Sequence, residues 1–307
     1  MTKAIAIVGP TAVGKTALSI QLAHDLNGEV ISGDSMQIYR HLDIGTAKIT
    51  PAEMDGIPHH LIDIRDLNQR FSAAEFQKLA NEQIDQIAAR QHLPMVVGGT
   101  GFYLQTLTEN LALGADHFDE QSQRIRDYWH QMVDQKGPEA VWKQLYQKDP
   151  QAAKQIPVGN LRRVIRALEV IEKTGQLFSQ QTQTKSDNEF LLIGLTTERS
   201  VLYERINQRV DDMMVSGILN EAKLVYQLPD ESTAKRAIGY KELFGYLNGT
   251  ATYDDAVVKL KRASRRYAKR QMTWFNNQFH DIHWYDLVQQ PVQLDQIIDQ
   301  LTDFMLE

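Results

Sequence analysis

The sequence predicts an α/β fold, a parallel sheet with helices on both faces, interrupted by an all-helical insertion. Three observations predict it. Short apolar strands alternate with amphipathic helices over residues 1–112. A glycine-rich loop joins the first strand to the first helix. Over 113–189 the apolar spacing becomes helical and then polar, and the sheet pattern returns at 190. A chain of 307 residues is long for one domain of about 100–150 residues, so the expected organisation is a core of 1–112 and 190–307 with an insertion at 113–189.

In order along the chain, Lys3 to Val8 reads as a buried strand, and a helix follows from about Lys15 to Asn27. Glu29 to Ser32 is a second short strand before a polar loop that runs to Pro58. Ser72-Ala73-Ala74-Glu75 is a capping box ahead of Phe76, Leu79, Ala80, Ile84 and Ile87, so a helix runs to about His92. Leu93 to Val97 is a buried strand ending in Gly98-Gly99-Thr100-Gly101. Residues 116–175 are helical in period, and 176–189 read as a polar linker. Phe190 to Leu195 returns to the sheet, helices dominate from Glu198, and a late strand is expected at Asp281 to Tyr285.

Composition narrows the function classes. Hydrophobic residues at 42% and charged residues at 23% are ordinary for a globular chain. No apolar run approaches eighteen residues, so no membrane-spanning helix is expected. The absence of cysteine excludes disulfides, zinc–thiolate sites and cysteine nucleophiles. No small-residue cleavage site precedes the glycine loop, so the cytoplasm is the expected location. Net charge is −6, yet residues 261–270 carry six basic side chains and no acidic one. Such polarity in an acidic chain points to a polyanionic partner or to a solvated helix face.

Gly9-Pro10-Thr11-Ala12-Val13-Gly14-Lys15-Thr16 matches G-x-x-x-x-G-K-[ST] between strand and helix, the setting that gives the motif meaning. Glycines let backbone N–H groups converge on phosphate oxygens, and the helix N-terminus adds its positive dipole end. Lys15 supplies a point charge, and the Thr16 hydroxyl suits Mg²⁺. The sheet is therefore expected to be of the phosphate-loop NTPase-like kind. The loop is of the nucleotide- and ATP-binding type, but hydrolases place a Mg²⁺-binding Asp at the end of an apolar strand. Here that strand ends in glycines, and no Asn-Lys-x-Asp guanine reader is present.

Asp34 lies just past the second strand, on the edge of a parallel sheet where ligands bind. By position alone it suits a general base, a Mg²⁺-associated acid or a loop-capping residue.

Eight segments taken together carry a resemblance. They are GPTAVGKT (9–16), SGDSMQIYR (32–40), DIGTAK (43–48), HHLID (59–63), VGGTGFY (97–103), RALEV (166–170), RAIGYKE (236–242) and RRYAKRQMTWF (265–275). In this order the chain resembles, over nearly its whole length, the tRNA dimethylallyltransferase family, also called tRNA isopentenyltransferases or IPP transferases. With no cysteine for the zinc-finger extension of eukaryotic relatives, the resemblance is to the bacterial type.

The resemblance implies transfer of a dimethylallyl group from dimethylallyl diphosphate to N6 of the adenosine adjacent to the anticodon in tRNA. It implies that the phosphate loop, Gly9 to Thr16, holds the diphosphate of the prenyl donor, with Mg²⁺ at Thr16. Asp34 resembles the family's general base, and Arg209 resembles a catalytic arginine on the diphosphate. Arg205 lies one helical turn earlier on the same face. Asp34, Ser35, Met36 and Gln37 are expected to line the pocket for an adenine flipped from its stack. Thr100 resembles a residue that touches the tRNA near that base. Tyr39, Phe102 and Tyr103 suit either packing beside the base or the core.

For the RNA partner, Arg162, Arg163 and Arg166 resemble the family's RNA-contacting helix, although Gly159-Asn160 stands where Asn-Asp is usual and Arg162 where Gln is common. Arg236, Gly239, Tyr240 and Lys241 resemble another tRNA-contacting motif, and Arg124 is the expected contact of the insertion. Arg262, Arg265, Arg266, Lys269 and Arg270 share a broad helical face suited to phosphates, with Leu260, Ala263, Tyr267 and Trp274 on another facing the core. A cleft between core and insertion suits a folded RNA loop. The family implies a monomer. The alternatives are an adenylate isopentenyltransferase acting on free nucleotide, a small-molecule phosphate-loop kinase, and a non-enzymatic RNA-binding protein.

Overall fold

The first strand, β1 (Thr2–Val8), has both faces buried: Ala6 and Val8 enter one hydrophobic cluster, Ile5 and Ile7 the other. A strand covered on both sides reads as a continuous apolar run, which is why this one was legible. The computed structural model describes residues 1–111, 119–180, 186, 188–230 and 232–306.

β1 is followed by α1 (Lys15–Leu26), β2 (Gly28–Ser32), β3 (His59–His60), α2 (Ala73–Ala89), β4 (Leu93–Gly98) and α3 (Gly101–Thr108). Then come α4 (Glu120–Lys136), α5 (Pro138–Lys148), α6 (Pro150–Gln155) and α7 (Leu161–Thr174). The sheet resumes with β5 (Asn188–Leu195), followed by α8 (Arg199–Ser216), α9 (Ile218–Tyr226), α10 (Phe244–Leu247) and α11 (Tyr253–Gln278). The chain closes with β6 (His283–Tyr285) and α12 (Gln293–Leu306). The six strands form one sheet in the order β3-β2-β4-β1-β5-β6, and every neighbouring pair is parallel.

All carboxyl ends therefore lie along one edge. On one face, Ala6, Val8, Ile31 and Val96 pack with Phe76, Leu104, Ala222, Leu260 and Phe275. On the other, Ile5, Ile7, Val30, Met95 and Ile193 pack with Leu18, Leu22, Ile206, Ile297 and Leu301. The anticipated capping box of α2 is formed. The Ser72 hydroxyl accepts the Glu75 N–H at 3.1 Å, and the Glu75 carboxylate accepts the Ser72 N–H at 2.9 Å.

Two elements carried too little pattern to foresee. β3 is two residues long, and its pairing with β2 at Val30 and Ile31 is set by tertiary contact. α3 follows the glycine turn directly and buries Tyr103, Leu104 and Leu107. The first helix stops at Leu26 because Asn27 takes a left-handed cap, at φ 52°. The late strand starts at His283, not Asp281.

The chain forms two compact units, Met1–Thr108 with Ser186–Glu307, and Glu109–Lys185. The expected boundary at 112–113 lies outside the described residues, as do residues 116–118 of the helical stretch and 181–185 and 187 of the expected linker. At the other end the sheet resumes before Phe190, because Asn188 and Glu189 pair with Thr2 and Lys3. In the smaller unit α4 to α7 enclose Trp129, Val141, Leu145, Val164 and Leu168. There Glu169, 1% exposed, accepts from Arg126 at 2.9 and 3.2 Å and pairs with Arg166 at 3.1 Å.

Candidate functional site

The carboxyl ends of β1, β2 and β4, with α8 and α11, border a cavity of about 740 Å³. Thr11 to Thr16, Asp34 to Gln37, Gly98 and Gly99 line it, with Arg205, Arg209, Tyr267 and Gln271 from the two helices. A cavity at this edge of a parallel sheet is where substrates of such folds bind.

The phosphate loop takes its shape from residues with unusual backbone freedom. Gly9 has φ +140°, and a Cβ there would strike the Leu195 carbonyl. Gly14, the N-cap of α1, has φ +109°, a conformation that side chains rarely adopt. Ala12 is also left-handed at φ 66°, and its carbonyl accepts the Arg205 Nε–H at 2.9 Å. Lys15 Nζ donates to the carbonyls of Gly9 at 3.0 Å and Pro10 at 2.8 Å. Gly9 and Pro10 thus stand behind the lysine, while Thr11 to Thr16 face the cavity. Burial, with Arg209 adding to it and Asp34 opposing it, lowers the Lys15 ammonium to about 8.

One loop amide is already committed. Thr11 N–H donates to Gln271 Oε1 at 3.0 Å, and Gln271 Nε2 donates to the Gly99 carbonyl at 2.9 Å. Gln271, 5% exposed, ties the phosphate loop to the glycine turn after β4. The motif in which it sits is dominated by basic side chains, and a single amide among them carries no signal of its own in the sequence. Arg209 reaches the Thr11 hydroxyl at 3.3 Å, and Arg205 and Arg209 lie on the cavity together.

Asp34 is half-buried on the same cavity. Burial raises its carboxyl above the usual range, against the pull of the Met36 and Gln37 N–H groups and of Lys15. Its Oδ1 accepts the Met36 N–H at 2.8 Å, so it caps its own turn as well as facing the cavity. Ser35 N–H donates to Thr100 Oγ1 at 3.1 Å. Thr100 thus braces the Asp34 turn, and its neighbours Gly98 and Gly99 form that wall. Gln37 is a strut: its Oε1 accepts from Ser32 Oγ at 2.9 Å, and its amide donates to the carbonyls of Thr46 and Ala47 at 3.3 and 3.4 Å.

The other motifs organise the walls. Lys48, whose side chain is 5% exposed, joins Asp43 at 2.5 Å to Asp63 at 2.6 Å, so one buried cation ties DIGTAK to HHLID. Glu221 has no sequence signature, yet it accepts the N–H groups of Asp43, Ile44 and Gly45 and the Tyr240 hydroxyl. Tyr240 requires a correction. Expected to touch RNA, it is 0% exposed and is a core residue. Its neighbours divide: Arg236 and Gly239 line the cavity, and Lys241 is exposed on a second groove.

That groove, about 540 Å³, is bordered by Lys241, Lys259, Arg262, Arg266 and Arg270. Arg265 is not on this face; it turns to α8, where its Nη1 donates to Asn207 at 2.5 Å. Of the aromatic candidates, Tyr39 is fully buried and Tyr103 stacks on Phe76 at 4.4 Å, so both are core. Phe102 and Trp274 are 40% and 37% exposed and meet edge to face at 6.0 Å. In the smaller unit Arg124, Arg162 and Arg163 are exposed, whereas Arg166 is held by Glu169.

A metal ion bound with a diphosphate needs only one or two protein ligands, because phosphate oxygens and water supply the rest. Thr16, exposed on the cavity at the first turn of α1, meets that requirement, with the Asp34 carboxylate on the same cavity. The donor set fits Mg²⁺.

A family model described as IPP transferase matches residues 37–278. A tRNA dimethylallyltransferase of Limosilactobacillus reuteri is 60% identical over 306 residues, covering 99% of each chain. One from Enterococcus faecalis is 49% identical, covering 99% of this chain and 98% of its own. Among solved structures, the full-length tRNA isopentenylpyrophosphate transferase of Bacillus halodurans matches with TM-score 0.74 and 47% identity, over 99% of this chain and 97% of that one. A eukaryotic dimethylallyltransferase caught acting on tRNA matches with TM-score 0.83 and 31% identity, over 100% of this chain and 80% of that one.

Proposed function

From its membership of the IPP transferase family, to which this chain belongs, we propose how its residues carry out tRNA prenylation. The chain is an enzyme that transfers a dimethylallyl group to tRNA. The acceptor in this reading is N6 of the adenosine adjacent to the anticodon, and the donor is dimethylallyl diphosphate. The observation that carries the reading is that Asp34 and the phosphate loop, with Lys15 and Arg209, share one cavity.

An adenine N6 is a weak nucleophile because its lone pair is delocalised into the ring. The N6–carbon bond forms as the allylic carbon–oxygen bond breaks. The N6 proton passes to the Asp34 carboxylate, and diphosphate leaves with the bonding pair. A carboxylate raised by burial is a better base than a free one, and Asp34 is so raised. Lys15, Arg209 and the loop N–H groups that face the cavity meet the charge that grows on the leaving oxygens. Mg²⁺ held at Thr16 supplies further charge neutralisation of the diphosphate when bound.

The acceptor reaches the cavity as a flipped base, since N6 is inaccessible within a stacked loop. Asp34 to Gln37 border its pocket, with Thr100 bracing the turn that carries Asp34. Arg236, Gly239, Lys241 and the exposed side of α11 meet the RNA backbone. Arg124, Arg162 and Arg163 do so from the smaller unit. The reading has a monomer working in the cytoplasm.

A transfer assay with labelled donor, Mg²⁺ and three acceptors (unmodified tRNA, AMP and ATP) tests this. Label on one anticodon-loop adenosine of tRNA alone is expected. Label on a free nucleotide would make the chain an adenylate prenyltransferase, and ATP turnover without transfer would make it a kinase.

A further inference from the structure

We propose that Glu221 is a positioning residue for the acceptor base, acting through two loops that it locks together. This rests on the function proposed above. Glu221 sits on α9 with 8% exposure. Its Oε1 accepts the N–H groups of Asp43 at 2.9 Å and Ile44 at 2.7 Å. Its Oε2 accepts the Gly45 N–H at 2.9 Å and the Tyr240 hydroxyl at 2.8 Å. Four donors converge on this one buried side chain and satisfy both of its oxygens, as buried polar atoms require.

The partners say what the carboxylate is for. Asp43 to Gly45 and Tyr240 belong to loops far apart in sequence, and both loops border the cavity, through Gly45 to Ala47 and through Arg236 to Gly239. A second buried carboxylate, Glu242, fixes the latter loop by accepting the Gly239 N–H at 3.0 Å. Gln37, in the segment that borders the acceptor pocket, donates to the carbonyls of Thr46 and Ala47. The wall keyed to Glu221 is therefore joined to the Asp34 side of the cavity. The phosphate loop has its own brace in Gln271 and Arg205. Loosening Glu221 should thus mislay the acceptor and leave the donor in place.

Glu221→Gln keeps one oxygen for Asp43 and Ile44 but turns an amide NH₂ toward the Gly45 N–H, leaving that donor unpaired. Tyr240→Phe removes only the link to the second loop. Steady-state transfer is measured with tRNA varied at saturating donor and with donor varied at saturating tRNA, beside thermal melting. The expected result is a rise of roughly tenfold in KM for tRNA in Glu221→Gln and a smaller rise in Tyr240→Phe, with donor KM within about twofold. Glu221→Asp, which keeps both carboxyl oxygens as acceptors, should recover part of the loss. Unchanged tRNA KM in both variants overturns the proposal. So does a parallel rise of both KM values that tracks the fall in melting temperature. If Glu221→Gln does not fold, Tyr240→Phe decides alone, by the same two outcomes. A wild-type chain that fails to prenylate tRNA overturns the functional reading itself, and is distinguished from these by its own control.

Discussion

The carboxylate of Asp34 accepts the backbone N–H of Met36 at 2.8 Å, so the proposed base is also the cap of its own turn. The two roles can be separated. Asp34→Asn keeps an oxygen for the Met36 N–H but has no carboxylate to take a proton. Its melting temperature should stay within about 2 °C of wild type, while single-turnover transfer falls by ~10²–10⁴-fold. tRNA binding, followed by filter retention, should be nearly unchanged. Full turnover in this variant would remove Asp34 from the role of base.

The pH profile follows from two groups on the cavity. Asp34 must be deprotonated to act, and burial raises its carboxyl, so kcat/KM should climb with pH through a limb above the ordinary carboxylate range. Lys15 must be protonated to hold diphosphate, and its ammonium is lowered to about 8. kcat/KM for the donor should therefore decline as pH rises through that region, giving a bell. Lys15→Ala should cut donor use and abolish the alkaline limb. A limb that survives in that variant would belong to another group.

Arg209→Lys should separate planar from point-charge recognition. Arg209 Nη1 meets the Thr11 hydroxyl at 3.3 Å, and a lysine cannot reproduce the planar fork that Arg209 brings to the cavity. Donor KM should rise ~10-fold or more, with the tRNA dissociation constant unchanged. Equal effects on both substrates would show that the residue serves the fold of the loop.

The basic residues divide by what holds them. Arg262, Arg266, Lys269 and Arg270 are exposed along α11. Replacing any one that contacts a phosphate should weaken tRNA binding and reduce the slope of log affinity against log salt by about 1. Arg265, bonded to Asn207, should have no such effect on the slope. Arg166→Ala should lower the stability of the smaller unit, because Glu169 at 1% exposure loses a partner, whereas Arg162→Ala and Arg163→Ala should not.

Acid stability tests the edge of the sheet opposite the cavity. Burial would raise the Glu29 carboxyl, but hydrogen bonds from Arg90 and His60 pull it from 4.5 to about 2. A folded value below the unfolded one means that its stabilisation is present above about 4.5 and is lost as pH falls toward about 2. Glu29→Gln should flatten the melting-temperature profile across that window. A profile identical to wild type there would assign the acid limb elsewhere.

Much of this protein is legible in its sequence. The phosphate loop, the strands around it and the α2 capping box are local: each is written in a few adjacent residues whose backbone needs only certain side chains. Asp34 was legible as a residue at the end of a strand, with base, metal acid and cap all open. The structure showed that capping and facing the cavity occur together. Tyr240 lay in a motif that suggested contact with RNA, and burial removed it from the surface. Arg265 and Arg266 are adjacent in the same charged run, yet one bonds to α8 and the other faces the groove.

What the sequence by itself determined is the succession of the longer elements, the parallel sheet, the phosphate chemistry of the loop and the family. Those depend on hydrophobic period, glycine placement and residue type, which are properties of short segments. Only the tertiary structure decided which side chains brace the site. Gln271 reaches Thr11 across 260 positions, and Glu221 reaches Asp43 across 178. A hydrogen bond between residues so far apart leaves no local pattern, because nothing about the intervening chain is needed to satisfy it.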